Sequence, residues 1–402
     1  MSVSGFFKGE IMLFKSLRTV SVGFVLGLFV VSAVFAEVRH ITPPKLEDAY
    51  LGEKVLCHRP MRRGSPKLDV QKVEDKIIAH NYGHGGSGWT LAPGSAKYVL
   101  DLLEAELSEP SKDTPIAVVG AGALGLFSAV ELLNRGYTHI TVIAENFDNL
   151  TSHNAGGLLA PVSMDNDPKM QSVIDEIGIE AYKFYKSIAL GEHSFIKTGA
   201  RVMPTYFPNR EDSGLEPYVG KVMAPAKDVT LDFGNGTRRK VVAYDDGIFM
   251  DTSGLLGQLK TYLDTRVAFE KRKIANFKDL DQKIIINCTG LGAAELNNDE
   301  QLVSVQGHLV MLKDQTPTDL EHMILAYFGE DKTQSGFKVT RSFYMFPKQL
   351  PGALVKDVGV IGGTFIEGAD ARFPNEEEFD LMIQGAREFY GLENEQEMKL
   401  EL

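Results

Sequence analysis

The chain has 402 residues, 44% of them hydrophobic and 24% charged, which is a globular composition with enough length for two domains. Its formal net charge of −12 argues against a nucleic-acid partner, because binding a phosphate backbone needs a basic surface. Its two cysteines, Cys57 and Cys288, exclude a disulfide framework and a C-x-x-C metal pattern. A single disulfide is open to them, although Cys288 ends an apolar strand and reads better as a buried free thiol.

Residues 12–18 carry Lys15 and Arg18, and residues 20–36 are apolar and end in Val-Phe-Ala before Glu37. A basic stretch, an apolar stretch and a small residue before an acid read as a secretory signal, with Met1 or Met12 as the start. The alternative is an uncleaved membrane anchor, for which the apolar run is short. The expected address is exported, either periplasmic or extracellular. Residues 37–53 contain prolines and read as irregular. Residues 54–64 (KVLCHRPMRRG) open as a short strand and continue into clustered arginines. Residues 76–81 read as a strand that runs into YGHGGSGWT (82–90), a glycine-dense loop. Residues 93–107 place Ala96, Leu100, Leu103 and Leu107 on one helical face. Residues 108–115, polar with two prolines, read as a linker.

The segment 114–151 is the strongest signal in the chain. A buried-type strand (116–119) leads into Gly120, Gly122 and Gly125 in G-x-G-x-x-G spacing, with Ala121 inside the turn. A helix (124–135) and a second strand (139–144) follow, and Glu145 ends that strand. In such a unit the first glycine makes the tight turn and the second lets backbone approach a pyrophosphate. The third lets helix and strand pack closely. The helix N-terminus offers free N–H groups to phosphate, and the acid accepts from ribose hydroxyls. Strand, helix, second strand and acid together point to dinucleotide binding.

Beyond this unit, residues 146–163 form a loop around Gly156-Gly157, and 170–190 read as a helix. Residues 200–247 are short strands and turns with a hairpin at Gly234-Asn235-Gly236. Residues 251–263 read as a capped helix, and 267–274 and 283–287 as strands. Residues 304–312, 338–346 and 358–365 are further strands. A last helix spans 375–390, with Asn375 and Glu378 in capping-box spacing. The acidic tail after Glu393 reads as solvated. His80 and His84 lack a visible orienting partner and read as structural, hydrogen-bonded histidines.

Five segments together resemble the D-amino-acid oxidase family of flavoenzymes. They are VVGAGALGL with Glu145 downstream, LTSHNAGGLLAP (150–161), IIINCTGLGAAEL (284–296), GVIGGTFIEGADARF (359–373) and AHNYGHGGSGWTL (79–91). In that family the last segment lies near the C-terminus, after an arginine-proline stretch. Here HRPMR (58–62) and the glycine loop come first, so the chain resembles a circular permutation of the family. The resemblance implies an α/β fold, with a Rossmann-like FAD-binding domain and a second, mainly antiparallel-sheet α+β substrate domain. The first would comprise 54–163 with 251–300 and 359–402, and the second 164–250 with 301–358.

It also implies FAD as cofactor. Gly120, Ala121, Gly122 and Gly125 would hold the pyrophosphate and Glu145 the adenosine ribose. Thr151 and Ser152 would meet the phosphate and ribityl part, and Gly157 and Leu158 the flavin edge. Ile274 would flank the adenine, and Thr289 and Gly290 would close over the cofactor. Gly85, Gly86, Ser87, Gly88 and Thr90 would line the flavin's pyrimidine end, where backbone N–H groups support negative charge. Arg59 and Tyr344 would clamp a substrate carboxylate, and the Gly86 carbonyl would accept from its amine. Ser87 and Gly292 stand where the family often has aromatic residues, which implies a reshaped pocket. Tyr327 and Phe328 are candidates for a lid.

The implied reaction is oxidation of the Cα–N bond of a small amino acid, D-configured by resemblance, with molecular oxygen or another electron acceptor. A glycine or sarcosine-type amine oxidase, or a dehydrogenase with a non-oxygen acceptor, is the chemical neighbour. A catalytically weak flavin-binding sensor is the reading from another class.

Overall fold

The structure, a computed structural model, describes residues 37–107, 111–162, 164–348 and 358–393. The apolar segment 20–36, part of the 108–115 linker and the tail after Glu393 lie outside the described residues. The first strands are β1 (Glu37–His40), β2 (Leu51–Arg62), β3 (Lys67–Val73) and β4 (Lys76–Tyr82), and the glycine loop then feeds α1 (Gly88–Glu106). The glycine-turn unit follows as β5 (Ile116–Val119), α2 (Ala123–Asn134) and β6 (Ile140–Ala144). A short helical turn, α3 (Thr151–Asn154), precedes the long α4 (Pro168–Ala189), whose N-cap Asp167 accepts from the Lys169 and Met170 amides.

Next come β7 (Ala200–Val202), β8 (Thr205–Phe207), β9 (Lys227–Asp232), β10 (Arg238–Tyr244) and β11 (Ile248–Met250). Asp251 caps α5 (Thr252–Leu263) by accepting from the Gly254 amide. The chain continues through β12 (Ala268–Lys271), β13 (Ile284–Asn287) and α6 (Ala293–Leu296). It finishes in the long strands β14 (Leu302–Leu312), β15 (Met323–Lys332), β16 (Lys338–Lys348) and β17 (Val358–Glu367), then α7 (Glu377–Tyr390).

The strands build a six-stranded sheet in the order β12-β6-β5-β13-β4-β3 and a nine-stranded one in the order β1-β9-β10-β8-β15-β16-β17-β14-β2. β5 and β13 are buried at every position, because helices cover one face of this largely parallel sheet and the segment carrying Ile274, Phe277 and Leu280 covers the other. Helices α1, α2, α4 and α5 pack with this sheet into the largest hydrophobic cluster. The nine-stranded sheet is mainly antiparallel. This is the mixed α/β architecture expected.

One pairing positions the site. β4, from the front of the chain, runs parallel to β13 with His80 opposite Asn287, while β13 also pairs with β5. Three turns therefore leave neighbouring strands at their carboxyl ends, where open α/β sheets bind ligands. They are the glycine loop after β4, the G-x-G-x-x-G turn after β5 and Cys288-Thr289-Gly290 after β13.

Several elements differ from the sequence reading. Residues 37–53 include β1, which pairs parallel with β9, and β2 begins at Leu51. β3 and β15 escape sequence reading because each alternates polar and apolar residues weakly. The Asn375–Glu378 capping box does not form. Asn375 Nδ2 donates to Gln306 and the Phe373 carbonyl, and the buried Glu378 instead accepts from Arg341 at 2.8 Å through both oxygens. An ion pair fills a buried carboxylate better than a single amide does. Both cysteines are free.

Candidate active site

The carboxyl ends of β4, β5 and β13 open onto a cavity of about 670 Å3, within the roughly 300–1,000 Å3 typical of small-molecule sites. Its floor is backbone. Gly120 has φ of +113°, a conformation that glycine adopts freely, and a Cβ there would overlap the Cys288 carbonyl oxygen. A Cβ on Gly122 would stand 3.0 Å from Ser152 Oγ at the cavity wall. The first turn of α2 faces the same space, and its Ala123 amide donates to Ser152 Oγ at 3.0 Å. A helix start of this kind suits an anion. Glu145 ends β6 at the cavity rim with Arg272, Lys273 and Ile274, and its carboxylate lies 3.8 Å from Lys273 Nζ.

The glycine loop closes a second wall. Gly85, Gly86, Gly88 and Thr90 line the cavity at the start of α1, so a second helix N-terminus faces it. Side chains from this loop hold the opposite lip. Trp89 Nε1 donates to the Ser152 carbonyl at 2.8 Å, and Thr90 Oγ1 donates to the Ala160 carbonyl at 3.0 Å. That lip carries Thr151, Ser152, Gly157 and Leu158 into the lining. Thr289 and Gly290 border the cavity from β13, and Thr289 Oγ1 donates to Asn287 Oδ1 at 2.7 Å.

Arg59 and Tyr344 meet in the cavity wall. Arg59 Nη1 donates to the Thr364 carbonyl at 3.0 Å. Burial disfavours the guanidinium charge, yet the neighbouring Cys57 and Tyr344 hold its pKa above the ordinary value. The phenol of Tyr344 is pushed up to about 12 by burial, against the pull of Arg59. Its ring stacks on Phe346 with centroids 4.7 Å apart, and a Cβ on Gly156 would stand 2.7 Å from the Phe346 ring. Among the described residues the recorded partners of Arg59 are neutral groups, which leaves its charge to be met from the cavity.

Two expected site residues do not reach the cavity. A Cβ on Gly125 would overlap the Gly120 carbonyl oxygen, so Gly125 serves helix–strand packing and not the pyrophosphate directly. Ser87 is buried and its hydroxyl donates to the Val162 carbonyl, so it backs the loop behind the cavity. Gly292 does line the cavity, as does Tyr327. His80 is structural: its Nε2 donates to Gln71 at 3.2 Å, its Nδ1 lies 3.1 Å from Asn287 Nδ2, and burial lowers its pKa to about 4. His84 borders the cavity with Nε2 2.9 Å from Ser95 Oγ, and burial lowers its pKa to about 3.

Sequence reading missed Thr364, whose carbonyl holds Arg59, and Lys348, a buried lysine behind the lip. Lys348 is detectable in hindsight, because it follows Tyr344 and Phe346 at strand spacing and so shares their face.

The residues fit FAD. Bare glycine backbone, two helix starts and a ribose-reaching acid along one long cavity are what a dinucleotide with an anionic centre requires.

Comparison with known proteins gives the following. Residues 115–398 match the model of the FAD dependent oxidoreductase family. A D-amino-acid oxidase of Dictyostelium discoideum is 25% identical over 211 residues, covering 50% of this chain and 58% of that protein. A D-amino-acid oxidase of Streptomyces coelicolor is 27% identical over 218 residues, covering 53% and 63%. A D-aspartate oxidase of Talaromyces thermophilus is 40% identical over 60 residues, 15% of this chain and 16% of that protein. The chain thus aligns with less than two thirds of each of these relatives. Among solved structures, a glycine oxidase of Geobacillus kaustophilus has a TM-score of 0.46 at 16% identity, covering 64% of this chain and 73% of that one.

Proposed function

The chain belongs to the FAD dependent oxidoreductase family, and on that premise we propose that it oxidises the Cα–N bond of a small D-amino acid. The observation that carries the reading is the meeting of a guanidinium and a phenol, Arg59 and Tyr344, in the wall of the cavity whose floor is the glycine turn. A planar guanidinium binds a carboxylate through two parallel N–H groups and so fixes its orientation. The Tyr344 phenol, with its pKa near 12, keeps its proton at neutral pH and adds a donor. The Gly86 carbonyl accepts from the substrate amine. Carboxylate and amine held at two points leave one Cα face turned to the cofactor, which is the positioning such a reaction needs. Held by the glycine turn after β5 and the glycine loop before α1, FAD would supply the redox chemistry, by which the Cα hydrogen would leave with two electrons and the imino acid so formed would hydrolyse to a 2-oxo acid and ammonia. The N-terminal ends of α1 and α2 favour negative charge in the cavity. His80 and His84, with pKa values lowered by burial to about 4 and about 3, are weak bases, and none is required.

The D configuration rests on the D-amino-acid oxidases among the relatives. Oxygen is the simplest acceptor, and a non-oxygen acceptor fits an exported enzyme. Export itself rests on the basic and apolar composition of residues 12–36 and is checked by cell fractionation. The reading extends to a circularly permuted chain order. Support comes from β4 pairing beside β13, from Trp89 and Thr90 bonding into the 152–160 lip, and from the family match beginning at residue 115. A rearranged gene that encodes residues 37–107 after residue 393 should yield an equally active protein.

The enzymatic test is product stoichiometry with a panel of D- and L-amino acids. Equal 2-oxo acid and ammonia from D-isomers only is expected, with hydrogen peroxide in step if oxygen is the acceptor. Turnover confined to glycine or N-methylglycine would move the assignment to an amine oxidase.

A further inference from the structure

β16 carries Tyr344, Phe346 and Lys348 at alternate positions, so the three side chains share one face of the strand. Each meets a different part of the site. Tyr344 stands beside Arg59, and Phe346 lies against Gly156. Lys348 is 4% exposed, and its Nζ donates to the Ala155 carbonyl at 2.8 Å, the His153 carbonyl at 3.1 Å and Thr252 Oγ1 at 3.2 Å. All three N–H groups of the ammonium are thereby used. Both carbonyls also have a hydroxyl partner from α5, because Ser253 Oγ donates to His153 and Thr252 Oγ1 to Ala155. The lysine is therefore not needed to satisfy them. What it adds is a charged tie from the substrate strand to the segment that carries Gly156 and Gly157 into the cavity.

We propose that Lys348 is a positioning residue that holds the cofactor-facing segment 153–157 in register with Tyr344. The inference rests on the FAD reading of the cavity. The partners of Lys348 among the described residues are two carbonyls and a hydroxyl, and burial pushes its pKa down to about 8 against the opposing pull of Asp251 and Cys57. The groups facing it are Asp251 at the start of α5, Cys57 on β2 and His153 on α3. The imidazole of His153 has its own pKa lowered by burial, with Lys348 and Lys260 adding to that effect, and so stays neutral above pH 7. A residue kept for stability alone would not be charged here. A residue kept to tie the segment would work only while it is protonated.

The test is FAD binding to apoprotein, followed by flavin fluorescence from pH 7 to 10, in the wild-type chain and in Lys348→Met. Methionine keeps the length and removes the donors. The expected result is a dissociation constant weakened about tenfold or more in Lys348→Met at pH 7, with no fall in the Tm of the apoprotein. Wild-type affinity should also decline above about pH 8, and Lys348→Met should lack that decline. Wild-type affinity that is flat with pH, together with an unchanged dissociation constant in Lys348→Met, overturns the inference alone. So does a parallel loss of Tm and affinity with a flat wild-type profile, which marks a merely structural lysine. A wild-type chain that takes up no FAD overturns the cofactor reading and the inference with it. Should Lys348→Met not fold, the wild-type pH profile decides.

Discussion

Replacing Arg59 by methionine tests the substrate end of the site. The thioether keeps most of the aliphatic stem and removes the charged fork, whose Nη2 and Cζ lie against Gly307. Two charge-assisted hydrogen bonds to a carboxylate are lost, at about 1.5–3 kcal/mol each. The low end applies, because Tyr344 remains as a donor. The total is then about 3 kcal/mol, or roughly a hundredfold or more in kcat/KM. Arg59→Lys keeps the charge and one bond, so its loss should be about tenfold. The bonds are made to a group that does not react, and the effect should fall mainly on KM. The assay is anaerobic flavin reduction against D-amino-acid concentration, with flavin content measured on the same samples. Flavin content should stay at the wild-type level, because Arg59 bonds Thr364 and Tyr344 and no residue of the glycine turn. An unchanged kcat/KM in both variants at full flavin loading would remove Arg59 from the site. Lost flavin would show that the arginine serves the cofactor.

Other substitutions separate packing from binding. Gly125→Ala should lower Tm and abolish FAD uptake, because its Cβ would overlap the Gly120 carbonyl oxygen and backbone cannot yield. Gly88→Ala meets no atom within 4 Å, so it should fold normally and weaken FAD binding by intruding on the cavity; an equal effect of both changes on Tm would refute the distinction. Glu378→Ala leaves Arg341 with Asp331 alone and removes two charge-assisted hydrogen bonds, and should destabilise by about 1.5–3 kcal/mol in urea unfolding, while FAD affinity is unchanged. His84 and His322 are lowered to about 3 and His80 to about 4 by burial. The unfolded chain therefore takes up protons first, and stability should fall as pH drops from about 6.5 toward 3. A Tm that is flat between pH 7 and 4.5 would contradict that burial.

The cofactor end was the more legible in sequence. Gly120 and Gly122 announce a turn that only glycine allows, and the apolar runs on either side have strand and helix spacing. The glycine loop at 82–90 was legible for the same reason. The substrate end was legible only through resemblance, because Arg59 and Tyr344 are far apart in the chain and meet through sheet pairings that no local pattern reveals. β3 and β15 were missed because partly solvated strands carry weak alternation. Gly125 and Ser87 were placed in the lining by resemblance, which reports which residues neighbour a turn, not which way each faces. Lys348 was passed over because a lysine at a strand end ordinarily reads as solvated, and only the packing of α3 and α5 against β16 buries it.

The most direct test of the central claim is an anaerobic visible spectrum of the purified protein, loaded with FAD and titrated first with an L-amino acid and then with its D-isomer. The account predicts an oxidised flavin spectrum that the L-isomer leaves unchanged and the D-isomer bleaches. A protein that holds no FAD, or flavin that neither isomer reduces, would contradict it.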